Sequence, residues 1–315
     1  MTLPLDQTAP AAAVPRKRRQ YPAFVRFTLR LCRERPLGAF GALLCLILLF
    51  TGLGADWIAP QGYNAINPIE RLQAPSLAHW FGTDQIGRDV FARIVHGARL
   101  SVIVAFAATT MSIIISAVLG IVSGYFGGRL DMFLQRLVDG WMCFPDLILL
   151  IVAMSVLGVG LWQIILVLGF VFGIAGSRII RGAVLSARQN VYVQAARSMG
   201  ASHLRIMVYH ILPSVMAPLI VLYTTRLAAV ILAESGLSFL GLGIPPPAPS
   251  WGGMLSMAGR SYMFQAPWLA AFPGIALTLA VFGINMFGDA LRDMLDPRMR
   301  GGGGRFFARV RRPKA

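Results

Sequence analysis

The chain has 315 residues, 56% of them hydrophobic and only 13% charged, with a formal net charge of +16. Soluble domains carry about 25% charged residues, so an ordinary water-soluble enzyme is excluded and a membrane-embedded chain is expected. Cys32, Cys45 and Cys143 are odd in number and form no CxxC, which excludes a disulfide framework.

The first 36 residues divide into two parts. TAPAAAVPRKRRQYP is rich in Ala and Pro and then basic, with no apolar periodicity, and reads as a disordered tail. FVRFTLRLCRERP interleaves apolar residues with Arg26, Arg30, Arg33 and Arg35, a pattern that suits a short helix on a membrane surface. The apolar run that follows is longer than a usual signal-peptide core, so it is expected to stay attached.

Crossing ~30 Å of hydrocarbon takes about 20 helical residues. On that measure six spans are expected, at about 37–58, 100–124, 132–157, 161–180, 214–238 and 267–288. The third is the least apolar, because its first half carries Arg136 and Asp139 and Asp146 follows Pro145. That proline removes a backbone hydrogen bond, so a kink is expected there, either a moving hinge or a plain bend. Pro218 and Pro273, early in spans five and six, invite the same reading.

Charge orients the spans, because Lys and Arg accumulate in cytoplasmic loops. Residues 1–36 and 289–315 hold eight Lys or Arg each, and 178–213 holds five with no acid. The opposite loops, 59–99 and 239–266, hold four and one. Both termini and the 178–213 loop are therefore expected in the cytoplasm of a bacterial inner membrane, with anionic lipid as a partner and no nucleic acid. The organisation that follows is a tail with an interfacial helix at 1–36, a six-helix domain at 37–290 and a basic tail at 291–315.

Ionisable residues within spans are costly and select for function or for specific partners. Arg226 sits in the middle of span five, facing either a pathway or a structural contact, and Glu234 follows eight residues later. Eight helical residues separate the two by about 12 Å, so they are not a direct intrahelical pair, and Glu234 is placed at the outer boundary. Outside, the PPPAPSW run at 245–251 reads as a stiff docking or gate-covering surface, with Trp251 as an interfacial anchor in the alternative.

No GxxxxGK[ST] phosphate loop, GxSxG or HExxH is present. His79, His96, His203 and His210 form no ligand cluster, so no metal site is expected. The chain is read as a non-catalytic subunit that forms a path and draws its energy elsewhere. An ATP-independent secondary transporter is the rival reading.

The segment QAARSMGASHLRIMVYHILP, Gln194 to Pro213, is a basic, small-residue insert between apolar runs. Val193, Ala196 and Gly200 share a helical stripe, Gly200 permits a turn, and Leu204, Met207 or Val208, and Ile211 mark a second helix. Small residues at Ala195, Ala196 and Gly200 are expected to let a partner approach closely, the alternative being an amphipathic loop on headgroups. The segment resembles the EAA loop of binding-protein-dependent ABC importer permeases, on Gln194, Ala195, Ala196, Gly200, Leu212 and Pro213. WFGTDQIGRDVFARIVHGARL (80–100), GYFGGRLDMFLQRLVD (124–139), FPDLILL (144–150), ESGLSFLGLGIPPPAPSWGGML (234–255) and GDALRDMLDPRMR (288–300) extend the resemblance. They are similar, in order, to the shorter permease of the dipeptide/oligopeptide/nickel class.

The resemblance implies an all-α, six-span type I permease fold. It also implies a second permease subunit, two cytoplasmic ATPase subunits that carry the ATP and magnesium and receive the loop at 181–213, and an extracytoplasmic solute-binding protein. Peptides are the expected cargo, with nickel, glutathione or another small solute as alternatives. Gln194 departs from the family, which usually has Glu there, so a charge-assisted contact is lost at that position.

Overall fold

The computed structural model describes residues 23–295. Residues 1–22 of the tail expected at 1–36, and 296–315 of the tail expected at 291–315, lie outside the described residues. Within them the chain is nearly all helical, with no strand among the described residues. The elements in order are α1 (Ala23–Glu34), α2 (Pro36–Leu53), α3 (Ala55–Ile58), α4 (Val90–Phe126), α5 (Gly128–Met142), α6 (Asp146–Leu157), α7 (Leu161–Arg188), α8 (Val191–Ser198), α9 (His203–Ile206), a π-helical turn at Met207–Ile211, α10 (Leu212–Ser214), α11 (Met216–Phe239), α12 (Trp251–Met254), α13 (Arg260–Tyr262) and α14 (Trp268–Leu295).

Among the described residues, five helices are long and apolar enough to cross a membrane: α2, α4, α7, α11 and α14. The third expected span, 132–157, is not one helix. It breaks at Cys143 to Pro145 into α5 and α6, which meet at 87°. Pro145 disfavours helical geometry in the residue before it and itself caps α6. The apolar part, α6, has 12 residues, about 18 Å of helix, too short to cross alone. Pro218 and Pro273, by contrast, lie inside continuous helices.

Two spans run well past their expected ends. α4 begins at Val90 because Asp89 caps it, its carboxylate accepting from Ala92 N–H at 2.7 Å. The added turns carry charges that find partners beyond the bilayer core. Arg99 pairs with Asp56 at 2.7 Å, and Arg93 donates to the Tyr63 carbonyl at 3.3 Å. α7 runs on to Arg188 for the same reason, since Arg181 makes two 2.6 Å bonds to Asp131 and Arg178 pairs with Asp139. The acids missing from the 178–213 loop are thus supplied by α5.

Small residues decide how closely α4 and α7 pack, as is usual between membrane helices. A Cβ at Gly120 or Gly124 of α4 would lie 2.8 Å from Ile180 or Val184 of α7, and one at Gly173 of α7 would lie 2.8 Å from Ile115 of α4. The serine hydroxyl of Ser116 also crosses this seam, donating to the Gly173 carbonyl at 2.8 Å. α2 meets α14 in the same way through Gly38, Gly41 and Gly283. α1 folds onto the end of this pair, with Leu31 buried against Ala290 and Met294, and Arg35 bonding Asp293 at 3.0 Å.

At the other end of the bundle the loops are tied to the helices. Asp84 accepts from the N–H groups of Ile86 and Arg88, and Trp268 Nε1 donates to the Thr83 carbonyl at 3.2 Å. Trp251 is not an interfacial anchor. It is buried and donates to the Ile94 carbonyl at 3.1 Å, so the PPPAPSW run is pinned to α4.

Candidate functional site

The Gln194 to Pro213 segment is a helix-turn-helix. α8 ends in two bonds, from Gly200 N–H to the Arg197 carbonyl at 3.0 Å and from Ala201 N–H to the Ala196 carbonyl at 3.1 Å. That is a Schellman cap, which needs a left-handed residue at its centre. Gly200 supplies it at φ +79. Ser202 then caps α9, accepting from Arg205 N–H.

The small residues expected to let a partner approach divide. Val193 and Ala196 point inward and are buried with Ile180, Val184, Ile206 and Ile211, so Ala196 offers no surface for close approach. Gln194, Ala195 and Gly200 remain exposed, and Gln194 Nε2 donates to the Gln189 carbonyl at 3.2 Å. Leu212 is half-buried and Pro213 exposed in the first turns leading to α11. The second helix also differs from its 3.6-residue reading. Ile206 and Ile211 are buried five apart, across the π turn at Met207–Ile211, and Leu204, ahead of that turn, is exposed.

Large apolar side chains stand on the outside of this basic loop. Met199 is 81% exposed, Leu204 69% and Tyr209 72%. Hydropathy alone could not single them out, since each reads equally well as core. The loop is also anchored. Arg188 Nη1 donates to the carbonyls of Gly124 and Tyr125, the last turn of α4. Buried Tyr125 has its hydroxyl 2.8 Å from His203 Nδ1, and the Arg197 guanidinium lies 5.6 Å above its ring.

Of the intramembrane ionisable residues, the structure brings two together. Arg226 lies 5.1 Å above the Phe172 ring, and Asp146, at the α5–α6 bend, is its charged neighbour without a direct ion pair. Asp146 is exposed on this chain. Glu234 is not at a boundary in contact with water: it is 1% exposed and accepts from Ser238 Oγ at 2.7 Å and Ser235 Oγ at 3.3 Å.

Gln194→Glu is expected to be tolerated. The side chain is exposed and loses only its bond to Gln189, ~1 kcal/mol, so chain yield and uptake in cells should stay within about two-fold of the parent. A loss of uptake at normal yield would show that a neutral side chain is required there.

The model of the family described as binding-protein-dependent transport system inner membrane component matches residues 116–301. The dipeptide transport system permease protein DppC of Alkalihalophilus pseudofirmus is 40% identical over 268 residues, covering 85% of this chain and 88% of that protein. A D,D-dipeptide transport system permease protein, DdpC of Escherichia coli, is 37% identical over 84% of this chain and 89% of its own length. Among solved structures, a chain of the MetNI methionine ABC transporter in inward-facing conformations aligns with a TM-score of 0.50 at 18% identity, covering 65% of this chain and 96% of that one; the likeness is one of fold. With 40% identity across most of its length and a matching family model, this multi-pass membrane chain belongs to the binding-protein-dependent transport system inner membrane components.

Proposed function

We propose that this chain is the permease subunit of an ATP-driven peptide importer, forming half of the translocation pathway with a second permease. Its cytoplasmic loop, 181–213, docks on an ATPase subunit and converts ATP-driven closure into movement of the spans, a rigid-body alternating access. The observation that carries this reading is the anchored loop itself. Met199, Leu204 and Tyr209 stand exposed on a basic surface that is fastened beneath them to the end of α4. An exposed apolar cluster with polar surroundings is the usual mark of a protein interface.

Charge sorting favours the cytoplasmic side for both termini and this loop, and the bacterial inner membrane is the proposed location. ATP and magnesium belong to the ATPase subunits, and an extracytoplasmic binding protein delivers the solute. A second permease is favoured by Asp146, since an exposed carboxylate at mid-span must meet protein or water rather than lipid. Peptides are favoured as cargo by the names of the two permease relatives. Met199, Leu204 and Tyr209 join Gln194, Ala195 and Gly200 as the surface offered to the ATPase, while Ala196, Leu212 and Pro213 hold its shape.

The test is reconstitution in proteoliposomes with a second permease, ATPase subunits and a solute-binding protein. Uptake of radiolabelled alanyl-alanine that requires both ATP and the binding protein is expected. Uptake of nickel or glutathione with no peptide would replace the cargo. Uptake by this chain alone, driven by a proton or sodium gradient, would overturn the reading. In the same assay Arg226→Gln should lower uptake several-fold, since the pathway then lacks its cation; unchanged uptake and affinity would leave Arg226 a structural contact with Phe172.

A further inference from the structure

The cytoplasmic end of α4 is the place where the loop and the spans share polar contacts. Three segments converge there on one residue. Arg188, at the end of α7, donates to the Tyr125 carbonyl at 3.0 Å. Arg197, on α8, lies over the Tyr125 ring at 5.6 Å. His203, on α9, meets the Tyr125 hydroxyl at 2.8 Å, with the two rings edge to face at 5.7 Å.

Tyr125 is 2% exposed while His203 and Arg197 are exposed, so the hydrogen bond is sheltered on the tyrosine side. Among the described residues, the Tyr125–His203 contact is the side-chain hydrogen bond that joins α8 or α9 to a membrane-crossing helix. The other side-chain bonds of α8 to residues outside it end beyond the spans, Gln194 on the Gln189 carbonyl just past α7 and Tyr192 on Ser214 in α10. The apolar contacts of Val193, Ala196 and Ile206 fold the loop against α7, yet such contacts slide, whereas a hydrogen bond fixes position and angle. α4 has 37 residues, about 55 Å of helix, so a displacement of its cytoplasmic end is carried to the opposite mouth.

We infer that Tyr125 is the positioning residue through which the 181–213 loop drives α4, and that its hydroxyl, held by His203, sets the coupling between ATP hydrolysis and transport. The inference rests on the coupling-loop reading above. Tyr125→Phe keeps the ring, its packing and the cation–π contact, and removes only the hydroxyl. In the reconstituted transporter, alanyl-alanine imported per ATP hydrolysed should fall about five-fold, the worth of one hydrogen bond.

His203→Leu should give the same fall, and the double variant should fall no further than either single one. His203→Gln, which restores a hydrogen-bonding partner for the hydroxyl, should recover most of the ratio, a result that a merely structural role for His203 would not produce. A normal ratio in Tyr125→Phe while Gly200→Val is uncoupled would overturn this inference and leave the coupling loop in place. Normal ratios in both would overturn the two together. Should Tyr125→Phe fail to assemble, the His203→Leu and His203→Gln pair decides: equal ratios in the two would overturn the inference.

Discussion

Gly200→Val in the assembled transporter is expected to leave ATP hydrolysis running while uptake per ATP falls roughly ten-fold or more. A left-handed conformation costs an L-residue ~1–2 kcal/mol, more when the side chain is β-branched, and each 1.4 kcal/mol is about ten-fold in an equilibrium. No atom lies within 4 Å of the Cβ that would be added. The substitution therefore creates no clash in the fold. Its cost falls on the Schellman cap that sets α8 against α9, and on the surface offered to the ATPase. Gly200→Asn should retain most coupling, because Asn accepts left-handed geometry. Purified transporter with parental uptake per ATP in the Val variant would remove the cap from the mechanism.

Gly173→Leu is expected to damage the packing of α4 on α7 severely. A Cβ there would lie 2.8 Å from Ile115 Cβ and 3.1 Å from the Ser112 carbonyl, so α4 and α7 must separate before a larger side chain fits. Overpacking costs ~1–3 kcal/mol and more where backbone is met, and the Ser116 bond to the Gly173 carbonyl would stretch with it. A drop of about 10 °C or more in the midpoint of thermal aggregation in detergent is expected, with poor chain yield. Gly182 is the control on the same helix, since nothing lies within 4 Å of its added Cβ. Gly182→Ala should be neutral or raise stability by up to ~1 kcal/mol. Equal midpoints for the two variants would mean that the glycine seam does not hold these helices together.

Much of the fold was legible because two signals are one-dimensional. Apolar length located the spans, and the Lys and Arg bias sorted the loops by side. The failures are local and share a cause. α4 and α7 outran their apolar cores because Arg93, Arg99, Arg178 and Arg181 find carbonyl or carboxylate partners far away in sequence. An interfacial anchor stood as the alternative for Trp251 because its partner, the Ile94 carbonyl, lies 157 residues away. In the coupling segment a period of 3.6 assigned Leu204 to the wrong face, since the side chains that bury the loop, Ile180 and Val184, lie on α7.

Composition, span lengths, charge bias and ordered motifs were enough to establish a multi-pass helical chain with one basic loop between the fourth and fifth spans. These features are carried by each residue's own free energy of transfer between water and lipid, which does not depend on neighbours. Which side chains of that loop face outward, how α5 and α6 bend apart, and why Tyr125 and His203 meet 78 residues apart were decided in three dimensions. Contacts of that kind gain energy only when distant segments are already packed, so no local pattern of residues announces them.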